Sequence, residues 1–373
     1  MKIGIITDFV DGKLGGIGTY TYNLIKNLNR IDKENQYTLI HYMRDESEIY
    51  THNNNIIIPR SPHYRGSGII WRYVNLPRHL KTCRDLDIVH DPYEIGPLSY
   101  KMPFSKITTI CDLTPVLFPH TFNLATVMLH KVFLKRTLND VSKIVTISHS
   151  TKRDLIHYFK IPDEKITVTH LAANENFRPM PESEVDAFRD KYNICYPYIL
   201  YVGTLEPRKN IPNLITAFSS LKKAGYPHKL IITGKPGWKY EKIFETVRSL
   251  KLESEVIFMG RLSDKELPYI YNGAELFVYP SLYEGFGLPP LEAMACGTPV
   301  ITSNSSSLPE VVGDAGITVD PYNVNMLASA MRDVITNSEL RENMIEQGKD
   351  RAKRFNWEST ARRTLSVYEE TLP

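Results

Sequence analysis

Residues 284–292 read Glu-Gly-Phe-Gly-Leu-Pro-Pro-Leu-Glu, and this stretch decides the fold of the second half of the chain. An apolar run that ends at Pro280 precedes it and predicts a buried strand. A helix is predicted to begin near Pro289, because proline suits a first helical turn, and to end at Gly297. The stretch therefore predicts a glycine-rich loop between a strand and a helix. Free N–H groups and the positive dipole end at such a helix start favour a phosphate.

The two carboxylates of this stretch, eight positions apart, are predicted to have separate roles. Glu284 lies in the loop, beside whatever is attached to the phosphate. Glu292 lies in the first turns of the helix, where it can accept hydrogen bonds from a ribose. Gly285 and Gly287 allow the backbone to approach that ligand closely. Phosphate, sugar and ribose together describe a sugar nucleotide. The alternative, a surface loop with two solvated glutamates, is disfavoured because the glycine spacing, the prolines and the strand context agree.

The stretch resembles the E-x7-E motif of retaining glycosyltransferases of family 4, which have the GT-B fold. Other segments are similar to elements of the same family, namely the glycine loop at 15–18, the basic segment at 202–210 and the Phe-x-Trp element at 355–357. The resemblance covers nearly the whole chain and is tightest from residue 198 to residue 320. It implies an α/β fold in which two Rossmann-like, doubly wound parallel-sheet domains face each other across a cleft.

Alternating strand and helix patterns independently predict parallel sheets that are covered on both faces. The predicted strands cover residues 3–7, 37–42, 55–58, 88–90, 106–111, 143–148, 198–202, 229–233, 256–259, 276–279 and 299–302. A connector rich in proline and charge at 174–196 places the domain boundary near Pro181. We therefore expect an N-terminal, acceptor-binding domain at 1–180 and a nucleotide-sugar-binding domain at 181–356. The terminal helix at 357–373 crosses back to the first domain if the family resemblance holds.

Composition excludes several other classes of protein. The chain has 373 residues, of which 42% are hydrophobic and 23% are charged, an ordinary globular composition. Its net charge is only +3, so the charge does not indicate binding to a polyanion over the whole surface. Its cysteines are scattered without metal-binding spacing, which favours a reducing compartment. No apolar run reaches the roughly 20 residues of a membrane-spanning helix. We expect a cytoplasmic protein that can be peripheral at a membrane.

Arg208 and Lys209 follow the predicted strand at 198–202. Two adjacent cations can neutralise a diphosphate leaving group as its charge develops. The alternative is a solvated basic loop. Many relatives place an arginine directly after the glycine, where this chain has Thr204, so the prediction rests on Arg208 with Lys209. Since two cations and a helix dipole supply the electrostatic role, no metal and no cofactor are predicted to be required. The Asp-Leu-Asp sequence at 85–87 leads into a strand and is interpreted as structural.

Cys111 and Asp112 stand where relatives commonly carry His-Asp, near the reacting sugar. A thiol bonds weakly and cannot replace an imidazole. Our hypothesis is that Asp112 holds a sugar hydroxyl while Cys111 packs beside it. His120 either compensates for the missing histidine or, as a lone histidine, is structural.

Further site predictions in the first half concern two turns after strands. Gly15, Gly16 and Gly18 precede a helix predicted at 19–29, and the resemblance implies that they lie against the phosphates or the transferred sugar. The glycine pattern by itself fits an ordinary turn equally well. Ser148 ends a strand and precedes a helix, so it either binds an anion or caps the helix.

In the second half, three residues after strands are predicted to meet the nucleotide. Gly234 follows the strand at 229–233, where the nucleotide can pass. Gly260 and Arg261 follow the next strand, and the resemblance implies that this position contacts the base through backbone atoms. The transferred sugar is predicted to contact Glu284 and the backbone of Phe286, Gly287 and Leu288.

The segment 60–84 holds many cations, several interleaved aromatic and apolar residues, and no acid. Its members include Arg60, Tyr64, Arg65, Ile69, Ile70, Trp71, Arg72, Tyr73, Arg78, Lys81 and Arg84. Such a surface can contact anionic lipid headgroups, receive a phosphorylated acceptor or simply be solvated. Nucleic acid is not a predicted partner, because the rest of the chain is nearly balanced in charge.

The resemblance and these residues predict a retaining hexosyltransferase that uses a nucleotide diphosphate sugar. The subgroup that the chain resembles implies GDP-mannose as donor and a glycan or lipid-linked sugar as acceptor. One alternative is a nucleotide-sugar epimerase with the same fold. Another is a sugar-nucleotide-binding protein without transfer activity, which Cys111 suggests. A dinucleotide dehydrogenase is disfavoured because Gly16-x-Gly18 lacks a third glycine at the proper spacing.

Overall fold

The computed structural model describes residues 1–11, 15–43, 47–60, 67–93, 96, 100–122 and 124–372. The chain divides into two compact units, Met1–Pro119 with Asn123–Leu171 and Asn356–Pro373, and His120–Phe122 with Ala172–Phe355. The division falls before the predicted boundary near Pro181 because the connector packs on the second unit. There, Met180 N donates to Asn272 Oδ1 at 2.8 Å, and Asn272 Nδ2 donates to the carbonyl of Arg178 at 3.0 Å.

Within the described residues, the first unit contains a parallel sheet of seven strands in the order β3-β2-β1-β4-β5-β6-β7. The strands are β1 (Lys2–Ile6), β2 (Gln36–His41), β3 (Asn54–Ile57), β4 (Ile88–Asp91), β5 (Ser105–Ile110), β6 (Lys143–Thr146) and β7 (Ile166–Val168). All six strands predicted here are present. The seventh, β7, was not predicted because three residues are too few to establish a period.

The second unit contains a parallel sheet of six strands in the order β10-β9-β8-β11-β12-β13. The strands are β8 (Tyr198–Val202), β9 (Lys229–Thr233), β10 (Val256–Gly260), β11 (Leu276–Tyr279), β12 (Val300–Ser303) and β13 (Ile317–Val319). Every residue of β8 and β11 is buried, as expected for parallel strands with both faces covered. The predicted α/β class with two doubly wound parallel sheets is confirmed.

Helices connect the strands and cover both sheets. They are α1 (Gly16–Ile31), α2 (Glu48–Thr51), α3 (Ser67–Ile70), α4 (Leu76–Leu80), α5 (Thr114–Leu117), α6 (Leu124–Asp140), α7 (His149–Phe159), α8 (Glu182–Lys191), α9 (Ile211–Lys223), α10 (Glu241–Ser249), α11 (Leu267–Asn272), α12 (Leu288–Ala295), α13 (Leu308–Val312), α14 (Val324–Thr336), α15 (Ser338–Lys353) and α16 (Trp357–Thr371). A π-helical turn, Trp71–Asn75, joins α3 to α4. Helix α6 was not predicted, because its apolar residues lie on both faces and hide the helical period.

Helix α16 belongs to the first unit, where it packs along α1. Tyr368 Oη lies 2.7 Å from Nδ1 of the buried His90, and His90 Nε2 lies 2.8 Å from Thr109 Oγ1. Thr109 Oγ1 also lies 3.0 Å from the hydroxyl of Tyr20 on α1. A continuous hydrogen-bonded chain therefore connects α16, β4, β5 and α1.

Each sheet has one point at which the strand order reverses. This point lies between the neighbouring strands β1 and β4 in the first unit, and between β8 and β11 in the second. Ligands of open α/β sheets bind outside the carboxyl ends of the strands at such points. Among the residues that the structure describes, no helix combines the length and apolarity that crossing a membrane requires.

Candidate functional site

The turn after β8 presents the predicted basic pair at the reversal point of the second sheet. Residues Pro207–Lys209 form a 3-10 turn, and Asn210 ends it in the left-handed conformation with φ 58°. The side-chain amide of Asn210 donates to the carbonyls of Pro280 at 3.1 Å and Pro321 at 2.7 Å. The first bond fixes the turn against the segment that follows β11, which carries Glu284, and the second fixes it against the segment that follows β13.

Arg208, Lys209 and Glu284 form one ion cluster. Lys209 Nζ lies 2.6 Å from Glu284 Oε1, and Arg208 Nη1 lies 3.0 Å from Glu284 Oε2. Arg208 Nη2 lies 2.6 Å from Glu206 Oε1. Lys209 is 7% exposed and Glu284 is 9% exposed, so neither residue belongs to a solvated surface loop. The solvated alternatives for Lys209 and Glu284 are therefore excluded.

The cluster keeps Glu284 ionised. Burial raises the pKa of Glu284, but the Arg208 guanidinium and the Lys209 ammonium outweigh burial and hold the pKa at about 2. Burial and the neighbouring Arg208 lower the pKa of Lys209, while Glu284 opposes that shift. A low-dielectric environment strengthens such pairs and holds their charges at fixed positions.

Sequence reasoning missed two side chains that complete the cluster. Lys209 Nζ donates to Tyr279 Oη at 2.7 Å, and Ser281 Oγ donates to Glu284 Oε1 at 2.5 Å. Both residues flank the proline that ends the buried strand β11. Polar side chains at the carboxyl end of a buried strand were the signal that could have identified them.

Two buried donors in this region retain hydrogen-bonding capacity. An ammonium has three N–H donors, and among the described residues Lys209 has two partners, Tyr279 and Glu284. The hydroxyl of Tyr201, whose ring stacks on Tyr279 at 5.6 Å, has no hydrogen-bond partner within the described ranges. Buried polar groups are normally satisfied, so these donors suit a ligand with acceptor oxygens.

The Glu-Gly-Phe-Gly loop is fixed by serines that follow the neighbouring strand β12. The N–H of Glu284 donates to Ser306 Oγ at 2.8 Å. Ser307 Oγ donates to the carbonyls of Glu284 at 2.9 Å and Phe286 at 2.5 Å. Gly287 has φ 122°, and a Cβ there would lie 2.8 Å from Leu308 Cδ2, so only glycine fits. Sequence reasoning did not identify these serines.

Two predicted sugar contacts of this loop have different environments. Phe286 is buried and packs at 5.7 Å against Phe355, and its carbonyl is bound by Ser307. Leu288 is half-buried at the start of α12. The side chain of Phe286 therefore packs inside the second unit and stabilises the loop.

Glu292 is half-buried on α12, and Tyr271 Oη donates to its Oε2 at 3.0 Å. Burial raises the pKa of Glu292 to about 7, with Tyr271 opposing and Asp264 adding to the shift. The two glutamates of the motif therefore differ in charge near neutral pH. Glu284 is fully ionised, whereas Glu292 is poised to gain or lose a proton.

Three glycines at the carboxyl ends of β8, β9 and β10 lie side by side. Gly203 N donates to Thr233 O at 3.0 Å, and Gly234 N donates to Gly260 O at 2.7 Å. Gly234 has φ 148°, and a Cβ there would lie 1.9 Å from Gly203 O. Such close backbone approach requires glycine. Gly260 and Arg261 are exposed, which leaves both accessible to a ligand.

The glycine run of the first unit is not a separate loop. Gly15 is the N-cap of α1, and the helix begins at Gly16, so the predicted helix start at residue 19 was wrong. Thr19 N donates to Gly15 O at 2.8 Å, which places Gly16 and Gly18 in the first turn. Among the described residues, a Cβ at Gly15 or Gly16 would meet nothing within 4 Å, and both glycines are exposed.

Asp112 and Ser148 both act as local caps in the first unit. Asp112 Oδ1 accepts a hydrogen bond from Thr114 N at 2.7 Å at the start of α5. Ser148 Oγ accepts one from Thr151 N at 3.1 Å. Ser148 therefore caps helix α7, which is one of the two roles predicted for it. Thr151 Oγ1 donates to the carbonyl of the half-buried Cys111 at 3.2 Å. His120 is exposed in the turn Pro119–Thr121.

The basic segment 60–84 is only partly a surface. Trp71 is 1% exposed and Arg72 is 5% exposed, so neither can contact lipid or a solvated acceptor. Arg72 binds both carboxylate oxygens of Asp8 at 2.7 Å and Asp91 Oδ1 at 2.5 Å. Sequence reasoning missed this cluster because its members come from distant parts of the chain. Arg60, Arg78, Lys81 and Arg84 are exposed, while Tyr64 and Arg65 lie outside the described residues.

Comparisons with known proteins match both halves of the chain. Residues 14–176 match the model of Glycosyltransferase Family 4, and residues 185–351 match that of Glycosyl transferases group 1. O-antigen chain mannosyltransferase B from Escherichia coli is 32% identical, with 99% of each chain covered. The serotype-specific mannosyltransferase WbdA, also from Escherichia coli, is 30% identical over 76% of this chain, which spans only 35% of that protein.

A solved structure shows the same fold. Sucrose-phosphate synthase from Thermosynechococcus elongatus superimposes with a TM-score of 0.80 at 22% identity, covering 99% of this chain and 98% of that one. The chain belongs to the family 4 glycosyltransferases. It resembles the mannosyltransferases among them, and its fold is GT-B, as the sequence predicted.

Proposed function

We propose that this glycosyltransferase is a retaining mannosyltransferase that moves mannose from GDP-mannose to a glycan or lipid-linked acceptor. The observation that carries the proposal is the buried ion cluster of Arg208, Lys209 and Glu284 at the reversal point of the second sheet. The choice of mannose rests on the full-length similarity to an O-antigen chain mannosyltransferase. The choice of acceptor extends that relative's printed name to this chain.

In the proposed reaction, the bond between the anomeric carbon and the diphosphate oxygen breaks. The acceptor hydroxyl attacks the anomeric carbon from the face that the diphosphate leaves, and its proton passes to the departing diphosphate oxygen. Negative charge develops on the departing GDP, where Lys209 has an N–H donor left by its two protein partners. Donors that are fixed before the reaction need no reorganisation as charge develops. Glu284 holds both cations in place and orients hydroxyl groups of the mannose.

Two further roles follow for the second unit. Glu292 accepts hydrogen bonds from the ribose, in place of its bond with Tyr271. The diphosphate needs no metal ion in this proposal, because Arg208, Lys209 and the first turn of α12 supply positive potential. Turnover that persists undiminished after chelation with EDTA supports this part, and turnover that Mg²⁺ restores contradicts it.

The test is release of nucleoside diphosphate from a panel of GDP-, UDP-, dTDP- and ADP-sugars in the presence of glycan acceptors. Wild type is compared with Glu284→Ala and Lys209→Ala. Lys191→Ala is the matched control, because Lys191 forms an equally short ion pair of 2.7 Å with Glu266 on the exposed surface. We expect wild type and the control to release GDP from GDP-mannose, and both site variants to fail.

The product decides between retaining and inverting transfer. An α-linked mannoside from the α-configured donor, identified by NMR, supports retention, and a β-linked product contradicts it. Turnover of a sugar nucleotide without any acceptor would favour an epimerase. Donor binding without turnover, even with lipid extract present, would favour a sugar-nucleotide-binding protein.

A further inference from the structure

Lys209 is held by a tyrosine as well as by a carboxylate. Its Nζ donates to Tyr279 Oη at 2.7 Å and to Glu284 Oε1 at 2.6 Å, and these are its two partners within the described part of the chain. The three N–H bonds of an ammonium point to three corners of a tetrahedron. Two fixed acceptors therefore leave one direction for the third N–H group, and the tyrosine hydroxyl helps to decide that direction.

The ring of Tyr279 is itself fixed by two aromatic neighbours. Tyr201 stacks on it with ring centroids 5.6 Å apart, and Phe277 stacks on it with centroids 5.9 Å apart. Phe277 and Tyr279 are two residues apart on β11, which places both on the same face of the strand. All three rings are at most 1% exposed. Because close-packed side chains in a core are held in defined rotamers, Tyr279 presents its hydroxyl at a fixed point.

The other acceptor of Lys209 is fixed as well. Ser281 Oγ donates to Glu284 Oε1 at 2.5 Å, and Ser303 Oγ donates to the carbonyl of Ser281 at 2.5 Å. Ser303 is the last residue of β12, and Tyr279 is the last residue of β11. The two acceptors are therefore attached to the carboxyl ends of two neighbouring strands, which holds the ammonium in one place.

Tyr279 contributes position without adding charge. Burial raises the pKa of Tyr279, and the Glu284 carboxylate raises it further, so the hydroxyl stays neutral. A second carboxylate at this place would neutralise more of the positive charge of Lys209. A neutral hydroxyl directs the ammonium and leaves that charge to a ligand.

We propose that Tyr279 is a positioning residue for the transfer reaction, because its hydroxyl directs the third N–H group of Lys209 toward the departing diphosphate. The inference rests on the proposed function, in which negative charge develops on that diphosphate. A hydrogen-bond donor that is aimed before the reaction stabilises the transition state without reorganisation. Tyr279 acts through Lys209 and makes no contact with the substrate in this proposal.

The test compares Tyr279→Phe with the control variant Tyr198→Phe. Phenylalanine removes the hydroxyl of Tyr279 and keeps its stacked ring. Tyr198 is the matched control, because it is also fully buried in the second unit and its hydroxyl donates to the carbonyl of Ile270 at 2.8 Å. Both variants lose one buried hydrogen bond, but only Tyr279→Phe loses a bond to Lys209. Urea denaturation monitored by circular dichroism compares their stabilities.

The kinetic measurement is turnover of GDP-mannose with a glycan acceptor. We expect Tyr279→Phe to lower kcat by about 10- to 100-fold and to change the KM for the donor by less than about threefold. The effects differ because the charge that Lys209 stabilises is largest in the transition state. Tyr198→Phe should keep both constants close to those of wild type. An unchanged kcat in Tyr279→Phe overturns the proposal, and so does an equal loss of kcat in both variants.

Titration of Lys209 is a second measurement, and it requires no donor. Burial and Arg208 lower the pKa of Lys209, while Glu284 and Glu206 oppose that shift. Loss of an acceptor that binds the ammonium should lower the pKa further, by about one unit. NMR of the protein with isotope-labelled lysine Cε measures this change, and Lys209→Arg identifies the signal by its absence. Wild type without turnover would contradict the proposed function, whereas a Lys209 signal that titrates alike in Tyr279→Phe and wild type would contradict the role of Tyr279 alone.

Discussion

The two sheets carry ion clusters at the same topological position, but the clusters differ in the number of cations around their carboxylates. In the first unit, Arg72 lies between Asp8, which follows β1, and Asp91, at the end of β4. In the second unit, the basic pair after β8 meets Glu284, which follows β11. One cation serves two carboxylates in the first case, and two cations share the central carboxylate in the second.

The difference appears in the protonation of the carboxylates. Burial raises the pKa of Asp91 to about 7, with Arg72 opposing that shift and Asp8 adding to it. The pKa of Glu284 is instead held at about 2 against burial. In the first cluster, Arg72 pairs with the carboxylates of Asp8 and Asp91, whereas Lys209 keeps an unused N–H donor among the described residues. The comparison indicates that the first cluster stabilises the fold, whereas the proposed function assigns ligand binding to the second.

Arg72→Ala is expected to have the largest effect on stability. It leaves the buried carboxylate of Asp91 and the half-buried carboxylate of Asp8 without their cation, and such a loss costs about 3–5 kcal/mol of the free energy of unfolding. Urea denaturation monitored by circular dichroism measures this change. Arg78→Ala is the control, because Arg78 is an exposed cation on the same helical segment and should change stability by less than about 0.5 kcal/mol.

The opposite result would remove the distinction between the clusters. If Arg72→Ala unfolds like wild type but loses turnover, the first cluster belongs to the catalytic machinery and not to the fold. Arg72→Lys sharpens the test, because lysine keeps the charge but cannot bind two carboxylates in a fork geometry. We expect it to recover only part of the lost stability.

Glu284→Gln is expected to affect turnover more than donor binding. Glutamine keeps the shape of the side chain but not the charge that holds Arg208 and Lys209. Loss of a fixed electrostatic contact of this kind lowers kcat by about 10²–10³. Turnover of GDP-mannose and equilibrium binding of the same donor separate the two effects. Glu206→Gln, which changes the outer carboxylate on Arg208, should cost less than about tenfold. Equal losses in kcat from both variants would show that the position of Glu284 is not special.

The fold was largely predictable because parallel strands buried on both faces form continuous apolar runs in sequence. Eleven strands were predicted at their observed places, and the two that were missed, β7 and β13, have three residues each. Helix α6 was missed for a different physical reason. Both its buried face and its exposed face carry apolar residues, which weakens the helical period in the sequence.

The site was predictable where its residues are close in sequence and follow strands. Arg208 with Lys209 and Glu284 with Glu292 lie in short segments whose glycines and prolines predict turns and helix starts. The cluster around Arg72 was not predictable, because it joins residues from three separate elements. The capping bond of Asp112 was also hidden, since the same residue types serve caps and ligands alike. The cap formed by Ser148 was one of its two predicted alternatives.

His90→Gln tests whether a neutral network supports the strand end that carries Asp91. His90 bonds to Tyr368 and Thr109, so the variant should lose about 1–3 kcal/mol of the free energy of unfolding at pH 7. Burial lowers the pKa of His90 from 6.5 to about 3. The unfolded chain therefore binds this proton first, and wild type loses stability as pH falls from about 6.5 to 3. The urea midpoints of wild type and of His90→Gln should therefore converge as pH falls over this range. Parallel curves for the two proteins would contradict the assignment.

Glu292→Gln should have the smallest effect, a change in how the affinity for GDP-mannose depends on pH. This test distinguishes the two glutamates of the motif by their protonation. The pKa of Glu292 in the folded protein is raised to about 7, so its carboxylate forms as pH rises through neutrality. A charged acceptor binds ribose hydroxyls more strongly than a neutral one by about 1 kcal/mol, or roughly fivefold in affinity. GDP-mannose is the suitable probe, because its diphosphate does not titrate near pH 7, unlike that of GDP. Calorimetry should show wild-type affinity rising between pH 6 and 8, while Glu292→Gln stays constant. A rise of the same size in the variant would assign the titration to another group and leave Glu292 without a role at the ribose.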